Sequence, residues 1–141
     1  MKPAILDHDD AAAQAVIASG KVHRGRMSYH AGLAAEELVA DHFLRKGRVI
    51  AARRWRGNRG ELDLVVQHGD ALVFVEVKQS RDFDTALSHV TPAQVRRLYA
   101  TAEEYLGTLE NGAFIDVRFD VALVDGQGAL KVLENAFGHV F

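Results

Sequence analysis

The chain contains no cysteine, which excludes a disulfide framework and every thiolate metal centre. Any metal must then be held by oxygen or imidazole, and the composition suits a reducing compartment. No apolar run approaches the ~20 residues of a membrane-crossing helix. The opening MKPAILDHDD is acidic and lacks the apolar core of a secretory leader. These absences lead to the expectation of a cytoplasmic protein with no membrane partner. Histidines occur singly, at His8, His23, His30, His42, His68, His89 and His139. None falls at a metal-ligand spacing such as HExxH, so surface roles are expected. There is no internal repeat and no low-complexity tract.

What is present fits one globular domain. The 141 residues, 48% apolar and 26% charged, suffice to bury a real core. The net charge of -2 rules out a generally basic coat, but the charge is unevenly spread. Residues 45–60, RKGRVIAARRWRGNRG, hold seven of the 17 Lys and Arg and no acid. Such a stretch either binds phosphate or decorates a solvated loop. Trp55 within it is either a stacking platform for a base or a core anchor at a strand end.

Residues 1–28 read as an extension, mobile or carrying a short helix at AAAQAVIAS capped by Asp9 or Asp10. KVHRGRMS follows as a linker. In HAGLAAEELVADHFLRKG, Leu33, Glu36, Val39, Ala40, Phe43 and Gly47 keep helical spacing, and Lys46 with Gly47 closes the helix. Glu36 falls on the apolar stripe, where a carboxylate is costly without a partner. RVIAARRWR predicts a strand. Thr91 and Pro92 open a second helix whose stripe is Val95, Leu98, Tyr99, Ala102, Tyr105 and Leu106. FIDVRFDVALVDG alternates as a further strand, with Asp120 expected in a structural role, paired with Arg118 or a helix end, rather than as a metal ligand. ALKVLENAF gives a last strand and tail, and the apolar AFGHVF end reads as cover for a sheet edge or a dimer contact.

Between the first strand and the second helix lies GELDLVVQHGDALVFVEVKQS, two alternating runs joined by a Gly69-Asp70 hairpin turn. Pairing about that turn sets Asp63 opposite Glu76 and Glu61 opposite Lys78, all four on one face. Directly opposed residues have Cβ atoms about 4.5–5.5 Å apart, and like charges there repel. A divalent cation would reverse the sign. Asp63, Glu76 and the Val77 carbonyl suit Mg²⁺, which usually takes one or two carboxylates and keeps its waters. Lys78 would orient an attacking water or stabilise charge on phosphorus. The competing reading is a solvated hairpin face laced with ion pairs.

These residues resemble the PD-(D/E)xK nuclease superfamily: an acid on one strand, Asp63, then (D/E)-x-K on the next, Glu76-Val77-Lys78. The chain is more closely similar to the YraN-type bacterial family, itself similar to archaeal Holliday-junction resolvases. AAEELVADHFLRKG, RRWR ahead of GELDLV, LVFVEVKQS, AEEYL, VRFDVALV and ENAF carry the likeness, over roughly residues 30–138. It implies a restriction-endonuclease-like three-layer α/β core in residues 29–141: helix, mixed β-sheet with a central hairpin, helix. It implies Glu36, Asp63, Glu76 and Lys78 as the catalytic set, with Glu61 and Gln79 supporting. Metal, Mg²⁺ or Mn²⁺, would lie on Asp63, Glu76, Val77 and Glu36. The partner would be DNA, branched or otherwise structured, contacted by Arg53, Arg54, Arg56, Arg59, Arg96 and Arg97, and a homodimer would cut two strands. One departure is Gln94, where relatives often carry lysine. The alternatives are a nucleic-acid-binding protein of this fold without turnover, and an interaction module whose charged face is a salt-bridge network.

Overall fold

A computed structural model of the chain describes residues 2–3 and 26–138, with 2–3 and 26–30 described by backbone alone. The helix expected at AAAQAVIAS lies outside these residues. Helix α1, Arg26–Arg45, begins within the stretch read as a linker. It ends where Gly47 adopts φ +80. Gly47 N donates to Leu44 O and Arg48 N to Phe43 O, the paired bonds of a Schellman stop that favours glycine at this position.

The chain then forms β2, Val49–Arg56, β3, Glu61–His68, and β4, Ala71–Gln79. Two helices follow, the short α2, Phe83–Ser88, and α3, Pro92–Gly107. After a single 3-10 turn come β5, Asp116–Val124, and β6, Leu130–Leu133. Helix α3 opens as expected, with Thr91 Oγ1 accepting from Gln94 N at 3.0 Å and Pro92 in the first position. Helix α2 was not foreseen; Asp82 caps it by accepting from Thr85 N at 2.7 Å.

One mixed sheet of six strands results, in the order β1-β5-β4-β3-β2, where β1 is Lys2–Pro3. Strands β2, β3 and β4 are antiparallel, whereas β4 and β5 run parallel. The outer edge of β5 is shared by β1, parallel at Asp116–Val117, and β6, antiparallel at Val121–Val124.

The sheet is covered on both faces, giving three layers. On one side Ala35, Val39, Ala40 and Phe43 of α1 pack on Leu64, Val66, Val73, Val75, Ala122 and Val124. On the other, Ala86, Val95, Leu98, Ala102, Tyr105 and Leu106 pack on Leu72, Phe74, Val117, Phe119, Val121 and Leu123. A strand buried on both faces needs apolar or paired side chains throughout, which β5 meets with Val121–Val124 and with Arg118 and Asp120 paired to each other. Tyr99 stacks on Phe119 at 4.3 Å and Phe74 on Phe119 at 5.3 Å; such pairs add about 0.5–1.5 kcal/mol each beyond area burial. Trp55 joins this layer edge-on to Tyr105 at 5.3 Å, so it is the core anchor rather than a free platform.

Two charges are buried within β5. Arg118 grips Asp120 through two bonds of 2.9 and 3.0 Å, and Asp120 also accepts from Asn135 N at 3.0 Å. The pair pins the segment after β6, whose Ala136 and Phe137 bury against the α3 side. Asp120 is therefore structural, as expected. No described helix is long and apolar enough to cross a membrane.

Candidate active site

The β3–β4 hairpin turns on Gly69 and Asp70. Gly69 takes φ +63, and His68 pairs with Ala71 across the turn. Positive φ at the first central residue suits glycine in a two-residue turn. The ladder runs from His68↔Ala71 to Leu64↔Val75 in the register expected from the turn, which points Asp63 at Glu76. There the strands separate. Residues Glu61 and Leu62 remain paired with Arg56 and Trp55 of β2, while Glu76–Gln79 remain paired with Val121–Val124 of β5. The sheet forks, and Asp63 sits in the fork.

The fork is closed by a side chain. Asp63 Oδ2 accepts from Val77 N at 2.8 Å, taking the place of a main-chain acceptor. In an extended strand the N–H and C=O of one residue leave toward the same neighbour, so the Val77 carbonyl also faces the fork. Glu76 continues the row of Leu72 and Phe74 toward α3, as does Lys78, whose Nζ lies 3.4 Å from Glu76 Oε2. Glu76 and Lys78 are only 17% and 19% exposed.

Burial raises the pKa of Asp63 well above the usual aspartate range, and the adjacent Glu76 carboxylate raises it further. The Val77 N–H and Lys78 act in the opposite direction. Glu76 is also raised by burial, with Lys78 the main opposing influence. The two carboxyl groups are close enough for each to perturb the other. A proton or a cation between the two groups would remove the repulsion of two close, poorly solvated negative charges.

Glu61 departs from expectation. It was expected opposite Lys78, but the ladder does not reach that pair, because β3 follows β2 away. Glu61 contacts Arg56 at 3.5 Å instead, and Lys78 belongs to Glu76.

Glu36 reaches the same region from α1, across the sheet. Burial raises its pKa, the hydrogen bond from Arg54 lowers it, and the nearby Asp63 charge raises it again. Arg54 NH1 donates to Glu36 Oε1 and Arg53 NH1 to Glu37 Oε2, both at 3.0 Å. Consecutive strand residues normally point to opposite faces. Both arginines reach α1 because Arg54 adopts φ +50, which turns its side chain. Leu33, Glu36, Arg53, Arg54, Asp63 and Leu64 line a pocket of about 240 Å³.

Two further residues shape the site without having been singled out for it. The Gln94 amide, oriented so that its nitrogen donates to His89 O at 2.9 Å, accepts from Lys78 Nζ at 3.2 Å. Gln94 therefore holds the lysine of the fork. Glu104 of α3 receives Asn58 N and Arg59 N at 2.9 Å each, fixing the arginine-bearing tip between β2 and β3. Gln94 stands out in the sequence only as a departure from the family pattern, and Glu104 only as part of AEEYL, so neither is assigned a partner in the site by sequence. Arg96 and Arg97 lie exposed on α3. Gln79 is half-buried at the end of β4, paired with Val124.

The donor set bears on a metal. Among the described residues no three Asp, Glu or His side chains converge as a ready cage. Two carboxylates and a carbonyl facing one fork nevertheless satisfy the modest protein contribution that Mg²⁺ or Mn²⁺ requires, with waters completing the shell.

Fold and site define a three-layer α/β protein with an acid–lysine cluster where its mixed sheet forks. The chain belongs to the uncharacterised protein family UPF0102, whose model matches residues 35–124; this is the YraN-type family that the sequence motifs resemble. It is 49% identical over 118 residues to a UPF0102 protein of Roseobacter denitrificans, covering 84% of this chain and 92% of that one. A UPF0102 protein of Ruegeria pomeroyi is 50% identical over 116 residues, covering 82% and 94%. One from Cereibacter sphaeroides is 46% identical over 113 residues, covering 80% and 97%.

Proposed function

We propose that this protein is a Mg²⁺- or Mn²⁺-dependent endonuclease that hydrolyses phosphodiester bonds in DNA, with branched or otherwise structured DNA as its substrate. The observation that carries the proposal is the Asp63–Glu76 carboxyl pair in the fork, with Lys78 beside it. Two half-buried acids set together at a cost would form a site that exchanges a proton for a cation. An ordinary salt-bridged hairpin has no use for the second acid.

Asp63, Glu76 and the Val77 carbonyl would hold the ion, with Glu36 facing it from α1. When bound, such an ion polarises the phosphorus–oxygen bonds and lowers the pKa of the attacking water. Lys78 orients that water and offsets negative charge developing on phosphorus. Gln94 fixes the Lys78 ammonium. Burial of the cluster strengthens each of these interactions relative to open water. Gln79 and Glu61 flank the fork, and Arg53, Arg54, Arg56, Arg59, Arg96 and Arg97 supply the phosphate-binding surface. A homodimer would present two such sites to two strands.

The second reading, DNA binding without turnover, is favoured by the Arg54–Glu36 ion pair, which neutralises one acid of the set. One experiment separates the two. Linear duplex, single-stranded, flapped and four-way-junction DNA are incubated with wild type and Lys78→Ala in Mg²⁺ and in Mn²⁺. Cleavage of a branched form by wild type and its loss in the variant support the nuclease. Binding without cleavage under both metals supports the second reading, and equal cleavage by both proteins identifies a contaminating activity.

A further inference from the structure

The tip between β2 and β3, Arg56-Gly57-Asn58-Arg59-Gly60, is built more firmly than an exposed loop of polar residues requires. Gly57 N donates to Gly60 O at 2.8 Å, closing the turn. The carboxylate of Glu104 then receives the next two N–H groups in sequence, Asn58 and Arg59, one on each oxygen. Those two bonds hold the Glu104 carboxyl below the usual glutamate range. Beneath the tip, Trp55 lies edge-on to Tyr105 of the same helix. The seat leaves no spare room: a Cβ on Gly57 would lie 2.5 Å from Glu104 Oε1 and 2.8 Å from the Trp55 ring, and one on Gly60 would lie 3.0 Å from Thr101 Oγ1.

Successive backbone N–H groups at a turn can themselves bind a phosphate. Here an acid of the protein already fills that position, so the tip meets solvent through its side chains. Arg59 is exposed. Arg56 is 74% exposed, and its contact with Glu61 is long at 3.5 Å. Arg53 and Arg54, also exposed, are held at 3.0 Å by Glu37 and Glu36 of α1. The basic stretch thus divides into a pair engaged by acids of α1 and a pair on a fixed support.

We propose that the Arg56–Gly60 tip is a rigid clamp for the DNA phosphate backbone and that Glu104, though acidic, is the positioning residue that makes it one. The proposal rests on DNA being the substrate and adds where the duplex is gripped. Arg59 lies in the turn two residues ahead of β3, whose Glu61 is two positions from Asp63. The clamp therefore grips the backbone on the β2–β3 side of the fork.

The sign of the Glu104 effect makes the test sharp. Removing a surface acid beside a phosphate-binding patch strengthens binding if charge alone matters. Removing the support of the clamp weakens it. Binding of the full chain to fluorescently labelled duplex and four-way-junction DNA is followed by anisotropy in EDTA over a salt series, with a labelled RNA duplex alongside. Arg59→Ala is expected to weaken DNA binding about fivefold and to lower the salt slope by about one. Glu104→Ala is expected to weaken it by a similar factor despite the charge removed. Gly57→Ala, which dislodges the Glu104 carboxylate with no change of charge, is expected to do the same and keeps the test open if Glu104→Ala fails to fold. Glu103→Ala, with the same charge change one residue away, is the control and is expected to bind as wild type or more tightly.

Folded Glu104→Ala and Gly57→Ala proteins that bind DNA as well as the Glu103→Ala control does overturn the clamp and leave the nuclease reading standing. The same holds if only RNA binding responds to the tip variants. A wild type that binds no DNA overturns both.

Discussion

Asp63→Asn isolates the energetic cost of the fork. In the metal-free protein Asp63 carries a proton far above the pH at which a solvated aspartate would lose it. A carboxyl group raised on folding binds more protons folded than unfolded, so stability falls as pH rises from the ordinary aspartate range of about 3.9 up to the raised value, and levels off above it. Each unit of upward displacement costs about 1.4 kcal/mol once pH exceeds the raised value. Asparagine reproduces the protonated group: its oxygen accepts from Val77 N, its NH₂ donates to Glu76, and it never ionises. Metal-free Asp63→Asn is therefore expected to match wild type near pH 4 and to exceed it increasingly toward pH 8. For a domain of this size 1 kcal/mol moves the melting temperature by about 3–6 °C, so each unit of upward displacement appears as a gain of a few degrees above the raised value. Thermal melts in EDTA from pH 4 to pH 9 measure it. A variant that is less stable than wild type throughout, or that declines with pH equally steeply, refutes the claim that Asp63 and Glu76 form a frustrated acid pair.

Three other outcomes are expected. Gln94→Leu removes the acceptor of Lys78 without touching the acids, so cleavage should slow about tenfold at unchanged DNA affinity; Gln94→Glu, which keeps an acceptor, should recover part of it, and a loss confined to affinity would refute the positioning role. Asp120→Ala strands the buried Arg118 and the Asn135 N–H, and chemical denaturation should show a loss of about 3–5 kcal/mol; a loss under 1 kcal/mol would mean the pair does not clamp the C-terminal segment. Glu36→Gln keeps the helix face but weakens the hold on Arg54, so Mn²⁺ should bind less tightly while the metal-free melting temperature moves by only a few degrees; unchanged Mn²⁺ affinity would remove Glu36 from the metal set.

The elements that lay open to sequence reading were those written in local code. Thr91-Pro92 opens α3, Gly47 stops α1, and Gly69-Asp70 sets a register that the ladder obeys from His68 to Leu64. The same logic failed beyond Leu64, because register assumes that two strands stay together. Their parting depends on β2 and β5 each drawing away its own neighbour, which is a property of the whole sheet. The expected Glu61–Lys78 pair was lost for that reason. Arg54 at φ +50 left no trace either, since nothing in RRWR marks which residue turns. Helix α2, six residues long, is too short for a period to show. Gln94 and Glu104 carry the sharper lesson: each looks like helix furniture, and each reaches across to a residue that sequence reading did single out.

The central claim is that the fork exchanges its shared proton for one divalent cation. Mn²⁺ binding counted by loss of the free-ion EPR signal, alongside calorimetry in buffers of different ionisation enthalpy, tests it most directly. One Mn²⁺ per chain is expected, with proton release on binding at pH values below the raised carboxyl pKa, and with binding abolished in Glu76→Gln. Binding that survives in Glu76→Gln, or that releases no proton at any pH, would contradict it.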